Sequence, residues 1–273
     1  LARDFDTRGL VLRDLPQARA WQLFEPDGRR TEVWRVDALD PFVYEPLPDQ
    51  LPPVYGQTRA VYLLRDAAQL PAWRARFPAA TLLWEPLQQI MVPGYAAEFR
   101  PALTSADIVS PNHLEAALVY GFDDPAALVQ AMLDDGARIV VLRLGAEGSL
   151  VGARGQDTLL HVPAVPVAQV VDQTGAGNTY CGAFLTGWAE TGDLAEAACY
   201  GAVAASFALE VTGVADPPPD LLAQRARRYA WVRERVGVHE QVVGHSPERP
   251  YPPAPSPSKA RGRGEPPARL SPL

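Results

Sequence analysis

From Thr31 onward, short apolar β-rich runs alternate with stretches of helical period, the order that a parallel sheet flanked by helices requires. "AVYLL" (60–64) predicts a strand and "AAQLPAWRARF" (67–77) a helix. "TLLWEP" (81–86) predicts the next strand, ended by Pro86, and "ADIVSPN" (106–112) a third that leads through Pro111 into the helix "HLEAALVYG". The helix "DPAALVQAMLDDG" (124–136) has Asp124 to cap it, Pro125 in its first turn and Gly136 at its end. "RIVVLRLG" (138–145) is a nearly continuous apolar run, as expected of a strand buried on both faces. "GSLVGA" and "TLLHVPAV" predict a hairpin. Helices over 176–190 and 194–210, and an arginine-rich one over 221–236, give an all-helical finish. Before Thr31 the pattern is too weak to assign any element.

Composition narrows the class. With 273 residues, 47% apolar and 21% charged, the chain can bury a sizeable core. A net charge of -7 argues against a nucleic-acid surface spread over the whole fold. The run "RARRYAWVRER" (225–235) interleaves basic and aromatic residues; long arginine stems covering apolar surface explain it better than RNA phosphates do. Cys181 and Cys199 lie in apolar helical stretches with no CxxC partner, and the four histidines lack metal-ligand spacing. Zinc is therefore not expected, and a reducing, cytoplasmic setting is. The longest strongly apolar stretch, 197–209, is too short to span a bilayer, so no membrane span is expected. Residues 245–273 hold nine of the 28 prolines and a formal +3 from five Lys/Arg against two Glu, the composition of a disordered tail. That tail, or an exposed sheet edge, is where protein partners would bind.

Three short motifs could carry chemistry. In "DQTGAGN" (172–178), glycines 175 and 177 allow a sharp turn just where a helix presents free amides and the positive end of its dipole. Such a turn binds anions, phosphate above all. "RLGAEG" (143–148) follows the buried strand, at the strand end where open α/β sheets place ligands. In "NHLE" (112–115), Asn112 can cap a helix and Glu115 can close a capping box; the same pair could instead face phosphates and a magnesium-bound water shell.

In order and spacing, "SPNHLEAALVYG", "VVLRLGAEGSL" and "VVDQTGAGNTYCGAFL", followed by "EAACYGAVAASFALEVTG", resemble the C-terminal half of PfkB/ribokinase-type carbohydrate kinases. "LLWEP" followed by "VSPNHLE" is similar to a divergent branch, the fungal maintenance-of-killer type proteins, whose glycine turn also tends to end in Asn. The resemblance is clearest over 33–213. It implies one α/β domain over 1–244: a ribokinase-like, doubly wound, mainly parallel sheet flanked by helices. It further implies ATP with magnesium, a sugar-like hydroxyl as acceptor and transfer of the γ-phosphate. By the same resemblance the ATP loop is Arg143, Leu144, Gly145 and Gly148, with Asn112 a further nucleotide contact. Gly175, Ala176 and Gly177 form the anion hole, Glu115 orders water on magnesium, and Asn178 stands at the position of the catalytic base.

Three departures separate this chain from an ordinary sugar kinase. The family's base is an Asp where this chain has Asn178, and an amide cannot take the substrate's proton at neutral pH; that step is typically worth roughly 10²- to 10⁴-fold. Asp172, six residues earlier, is a poor substitute. Arg143 stands where the family usually has Thr: it either contacts a phosphate or closes the loop with a salt bridge. Finally, the first 110 residues hold only Gly9, Gly28, Gly56 and Gly94, with no glycine-pair signature for the sugar. That gap, and the lack of an initiator methionine, suggest a fragment whose opening strands are gone. The alternative to a kinase is therefore a catalytically inactive relative that binds nucleotide or acts as a protein-interaction scaffold.

Overall fold

Leu82, Leu83 and Trp84 are consecutive and fully buried, which a strand covered on both faces permits. The computed structural model describes residues 6–12, 14–15, 19–24, 30–34, 45–213 and 218–240. Strands β1 (Ala20–Phe24) and β2 (Arg30–Trp34) form a separate antiparallel hairpin. The main sheet has seven strands in the order β3 (Ala60–Arg65), β4 (Thr81–Pro86), β5 (Ile108–Val109), β6 (Ile139–Arg143), β7 (Ser149–Ala153), β8 (Thr158–Val162) and β9 (Gly237–Glu240). β3 to β6 run parallel, and the pairs from β6 to β9 are antiparallel.

Helices cover both faces. On one lie α1 (Leu70–Arg76), α2 (Ala96–Ala102), α3 (His113–Tyr120) and α4 (Pro125–Asp134). Their Trp73, Phe99, Val119 and Leu128 pack with Leu82, Trp84 and Val140 of the sheet. On the other lie α5 (Ala176–Thr191), α6 (Leu194–Ala208) and α7 (Leu221–Arg233), whose Phe184, Val203 and Val232 pack with Leu83 and Val141. The period of two in β4 and β6 thus feeds two cores at once. This is the α/β architecture expected, a mixed sheet with helices on both faces.

Small residues set how closely α5 and α6 approach. A β-carbon on Gly187 would lie 3.0 Å from Ala197 Cα, and one on Gly201 would lie 2.8 Å from the Tyr180 ring. Asp124 and Asn112 cap α4 and α3 by accepting from the amides of Ala127 and Glu115. Gly121 ends α3 at φ 79°, the left-handed conformation glycine adopts without strain.

Two local expectations need correction, and two elements had none. The finish is not all helical: α7 stops at Arg233 and β9 pairs with the edge of β8, a partner that only the folded sheet supplies. The third strand is confined to Ile108–Val109, because Pro111 has no amide to continue the ladder; Asn112 returns only as an isolated bridge to Arg143. Helix α2 carries Pro101 and follows Pro93 and Gly94, which mask its period. Strand β1 falls in the unassigned stretch before Thr31, and its partner β2 begins at the end of that stretch, at Arg30. In the arginine-rich α7, Arg228 pairs with Glu210 at 2.5 Å and stacks on Phe207, while Arg233 pairs with Glu196 at 2.8 Å, so these cations serve packing. Among the described residues no helix is long and apolar enough to cross a membrane. The proline-rich tail, 245–273, lies outside the described residues.

Phe99 is fully buried, 5.3 Å from the Trp84 ring and edge-on to Tyr120 at 6.1 Å. Phe99→Ala should cost about 3–5 kcal/mol of stability through the cavity it leaves, read as a lower urea midpoint with unchanged slope.

Candidate active site

At φ 84° Gly175 takes the left-handed conformation and turns the chain into α5. Ala176 donates to Gln173 O, and the first bond inside the helix runs from Thr179 N to Gly175 O. The amides of Gly177 and Asn178 therefore have no acceptor within the helix and sit at its positive end. Tyr180 anchors the turn from behind: its hydroxyl bonds Ser149 Oγ at 2.8 Å, both side chains being buried.

The turn opens onto a cleft of about 1020 Å³ at the carboxyl ends of the parallel strands. Gly145 and Gly148, from the loop between β6 and β7, line the same cleft. Gly148, at φ 99°, lies against the backbone of Val162 to Ala164, and any β-carbon there would collide with Val162 O. Leu144 N donates to Gly148 O at 2.8 Å, which closes this loop on itself. Leu144 itself packs against the first core.

Asn112 and Glu115 form the capping box: Asn112 N donates to Glu115 Oε2 at 3.0 Å and Glu115 N to Asn112 Oδ1 at 2.8 Å. Both line the cleft, and Glu115 is buried. Asn178 is exposed in the first turn of α5 and also lines it. The structure thus brings Asn112, Glu115, Arg143, Gly145, Gly148 and residues 175–178 around one cavity. Asp172 is turned into its own loop, where the Thr174 amide, at 2.8 Å, and then the Thr174 hydroxyl hold its carboxyl below the usual range. That makes it a weaker base still.

Arg143 does not reach out over the loop. Its Nη2 pairs with Glu85 Oε1 at 2.7 Å and donates to Ser110 O at 3.0 Å, and the pair is buried. The Tyr62 hydroxyl donates to the other carboxylate oxygen of Glu85. Burial, and then the Glu85 charge, raise the Tyr62 hydroxyl well above its ordinary pKa. Burial works against the charge on Arg143, but the acidic groups around it, Cys181 and Glu85 foremost, more than offset this. Tyr62, Glu85 and Ser110 escaped the sequence reading; the available signal was a lone carboxylate in "TLLWEP" and the second arginine of "RIVVLRLG", both at strand ends. Gln22, Thr31 and Glu32 of the hairpin also reach the cleft, with Gln22 Nε2 donating to Glu32 Oε1 at 3.3 Å. Among the described residues no group of three or more His, Cys, Asp or Glu could hold a metal ion.

The model of the pfkB family of carbohydrate kinases matches residues 84–221. An uncharacterized protein of Schizosaccharomyces pombe is 32% identical over 158 residues, 49% of this chain and 44% of that protein. The chain therefore spans less than half the length of that relative. The acarbose 7(IV)-phosphotransferase of an Actinoplanes species is 31% identical over 231 residues, 77% of this chain and 70% of that enzyme. Among solved structures, Arabidopsis thaliana ribokinase complexed with ribose and ATP superposes with a TM-score of 0.58 at 21% identity, covering 79% of this chain and 70% of that one. At that identity the likeness concerns the fold.

Both thiols are free and buried. Burial pushes Cys181 up to about 12 and Cys199 up to about 11 from an ordinary 9.0. Neither should react with a disulfide reagent at pH 8 until the protein is unfolded, as a thiol count with and without denaturant would register. Because the folded state keeps these protons longer than the unfolded one, their contribution is complete below pH 9 and is lost as pH rises towards 12. The urea midpoint should fall across that window.

Proposed function

The chain belongs to the pfkB family of carbohydrate kinases, and from that premise we propose that it transfers the γ-phosphate of ATP to a hydroxyl of a sugar-like acceptor. The observation that carries this reading is the glycine turn at Gly175 to Gly177, whose amides open onto the same cleft as Asn112, Gly145 and Gly148. In this reading the amides and the dipole of α5 receive the transferring phosphoryl group, Gly145 lets the backbone approach the nucleotide while Gly148 lets the loop close on the Val162–Ala164 backbone, and the hairpin residues Gln22, Thr31 and Glu32 bound the acceptor side. The donor set suits a magnesium ion carried on the nucleotide phosphates rather than one caged by protein, with Glu115 acting on its water shell. When bound, that ion would neutralise phosphate charge.

Asn178 accepts no proton, so transfer would proceed on positioning and charge neutralisation, which carry most of phosphoryl-transfer catalysis. The same residue motivates the second reading, a relative that binds nucleotide without turnover. Titration calorimetry with Mg·ATP on the full chain separates them. Magnesium-dependent ATP binding by the native protein supports a working phosphate site; its absence would sink the kinase reading. Asn178→Asp should then raise phosphotransfer by up to about 10²- to 10⁴-fold in a coupled assay over sugar acceptors. A rate unchanged by that substitution, in a protein that binds ATP, would mean that the amide is not what limits it.

A further inference from the structure

The surroundings of Arg143 divide its guanidinium into an anchored side and an open one. Nη2 is fully engaged by Glu85 Oε1 and Ser110 O. Nε is buried and has no acceptor among the described residues. Nη1 packs against Gly177 so closely that a β-carbon there would collide with it. Glu85 is itself held by the Tyr62 hydroxyl on its second oxygen, so the anchor is not free to turn. The Arg143 side chain is 12% exposed, and the residue lines the cleft.

Buried donors are rarely left without acceptors, and an unmet one calls for an explanation. Here Nη1, which has no acceptor among the described residues, lies beside the first turn of α5, where the amides of Gly177 and Asn178 also lack helix acceptors. Two kinds of donor therefore converge, one a fixed cation and the other the end of a helix dipole. A guanidinium N–H makes a charge-assisted hydrogen bond to a phosphate oxygen, and the group stays charged at any working pH.

We propose that Arg143 contacts the transferring phosphoryl group through Nη1, completing the anion site of the glycine turn, and that Glu85 is the positioning residue that holds Nη1 in place. This rests on reading the glycine turn as a phosphate site. It unites the two roles open to Arg143 from sequence, the salt bridge on one side and the phosphate on the other. It also fits Asn178, since a fixed cation stabilises charge on the phosphoryl oxygens without any proton changing hands.

The test is calorimetry on the full chain with Mg·ATP, inorganic tripolyphosphate and adenosine as separate probes. Arg143→Gln should weaken ATP and tripolyphosphate about tenfold or more while leaving adenosine unchanged, and Arg143→Lys should recover part of the loss. Glu85→Gln should weaken ATP in the native background but add nothing in the Arg143→Gln background, since it acts only through Arg143. If Arg143→Gln does not fold, the double variant Glu85→Gln/Arg143→Gln, which leaves no unpaired charge, is held to the same criterion. A folded variant lacking the Arg143 charge that binds ATP within twofold of the native protein overturns the proposal and leaves the kinase reading standing. Tripolyphosphate binding that depends on Arg143, without ATP binding, would sustain the proposal and remove the kinase reading. Binding of neither anion by the native protein removes both.

Discussion

A cation buried at the carboxyl ends of the parallel strands is the constraint on which the rest of this site depends. Arg143 leaves β6, reaches the end of β4 through Glu85 and the segment after β5 through Ser110, and lies under the first turn of α5. Four segments far apart in sequence are thus tied through one side chain. Removing one partner of a buried pair typically costs about 3–5 kcal/mol, because the other charge is left unmet. The arrangement also explains why position 177 is glycine, since the space beside its Cα is already filled by Nη1.

The second element is the approach of α5 to its neighbours. Gly187 and Gly201 let α5 and α6 pack almost backbone to backbone, and Tyr180 is wedged between Gly201 and Ser149. A helix held this closely keeps its N-terminus in one place relative to the sheet. A phosphate site made of backbone amides needs that rigidity, because it has no side chain with which to adjust. The many alanines of α6, poor as a hydrophobic signal in themselves, serve this close fit.

The chemistry left to the site is electrostatic. With an amide at position 178 and Asp172 committed to its own turn, no well-placed carboxylate stands in the first turn of α5. What remains are free amides, a helix dipole and a fixed guanidinium. Such groups act on the charge of a transferring phosphoryl group without waiting for a proton. Family membership and the glycine turn both support the proposed phosphate site, and Asn178 is the residue that bears on turnover.

Periodicity was enough to locate most elements from β3 to α7, because strands buried on both faces and capped helices write their pattern in contiguous residues. The glycine turn, the loop after β6 and the capping box of Asn112 and Glu115 were legible for the same reason: their function is local backbone geometry. The hairpin β1–β2 and strand β9 were not, since each is defined by a partner strand and carries little pattern of its own. The pairing of Glu85 with Arg143 lay further out of reach. The two residues are 58 positions apart, from 85 to 143, and only the parallel order of β4, β5 and β6 brings their strand ends together. The sequence by itself determined which backbone could bind an anion; the tertiary structure decided which charge stands behind it, because burial and long-range pairing are properties of the packed sheet and not of any single segment.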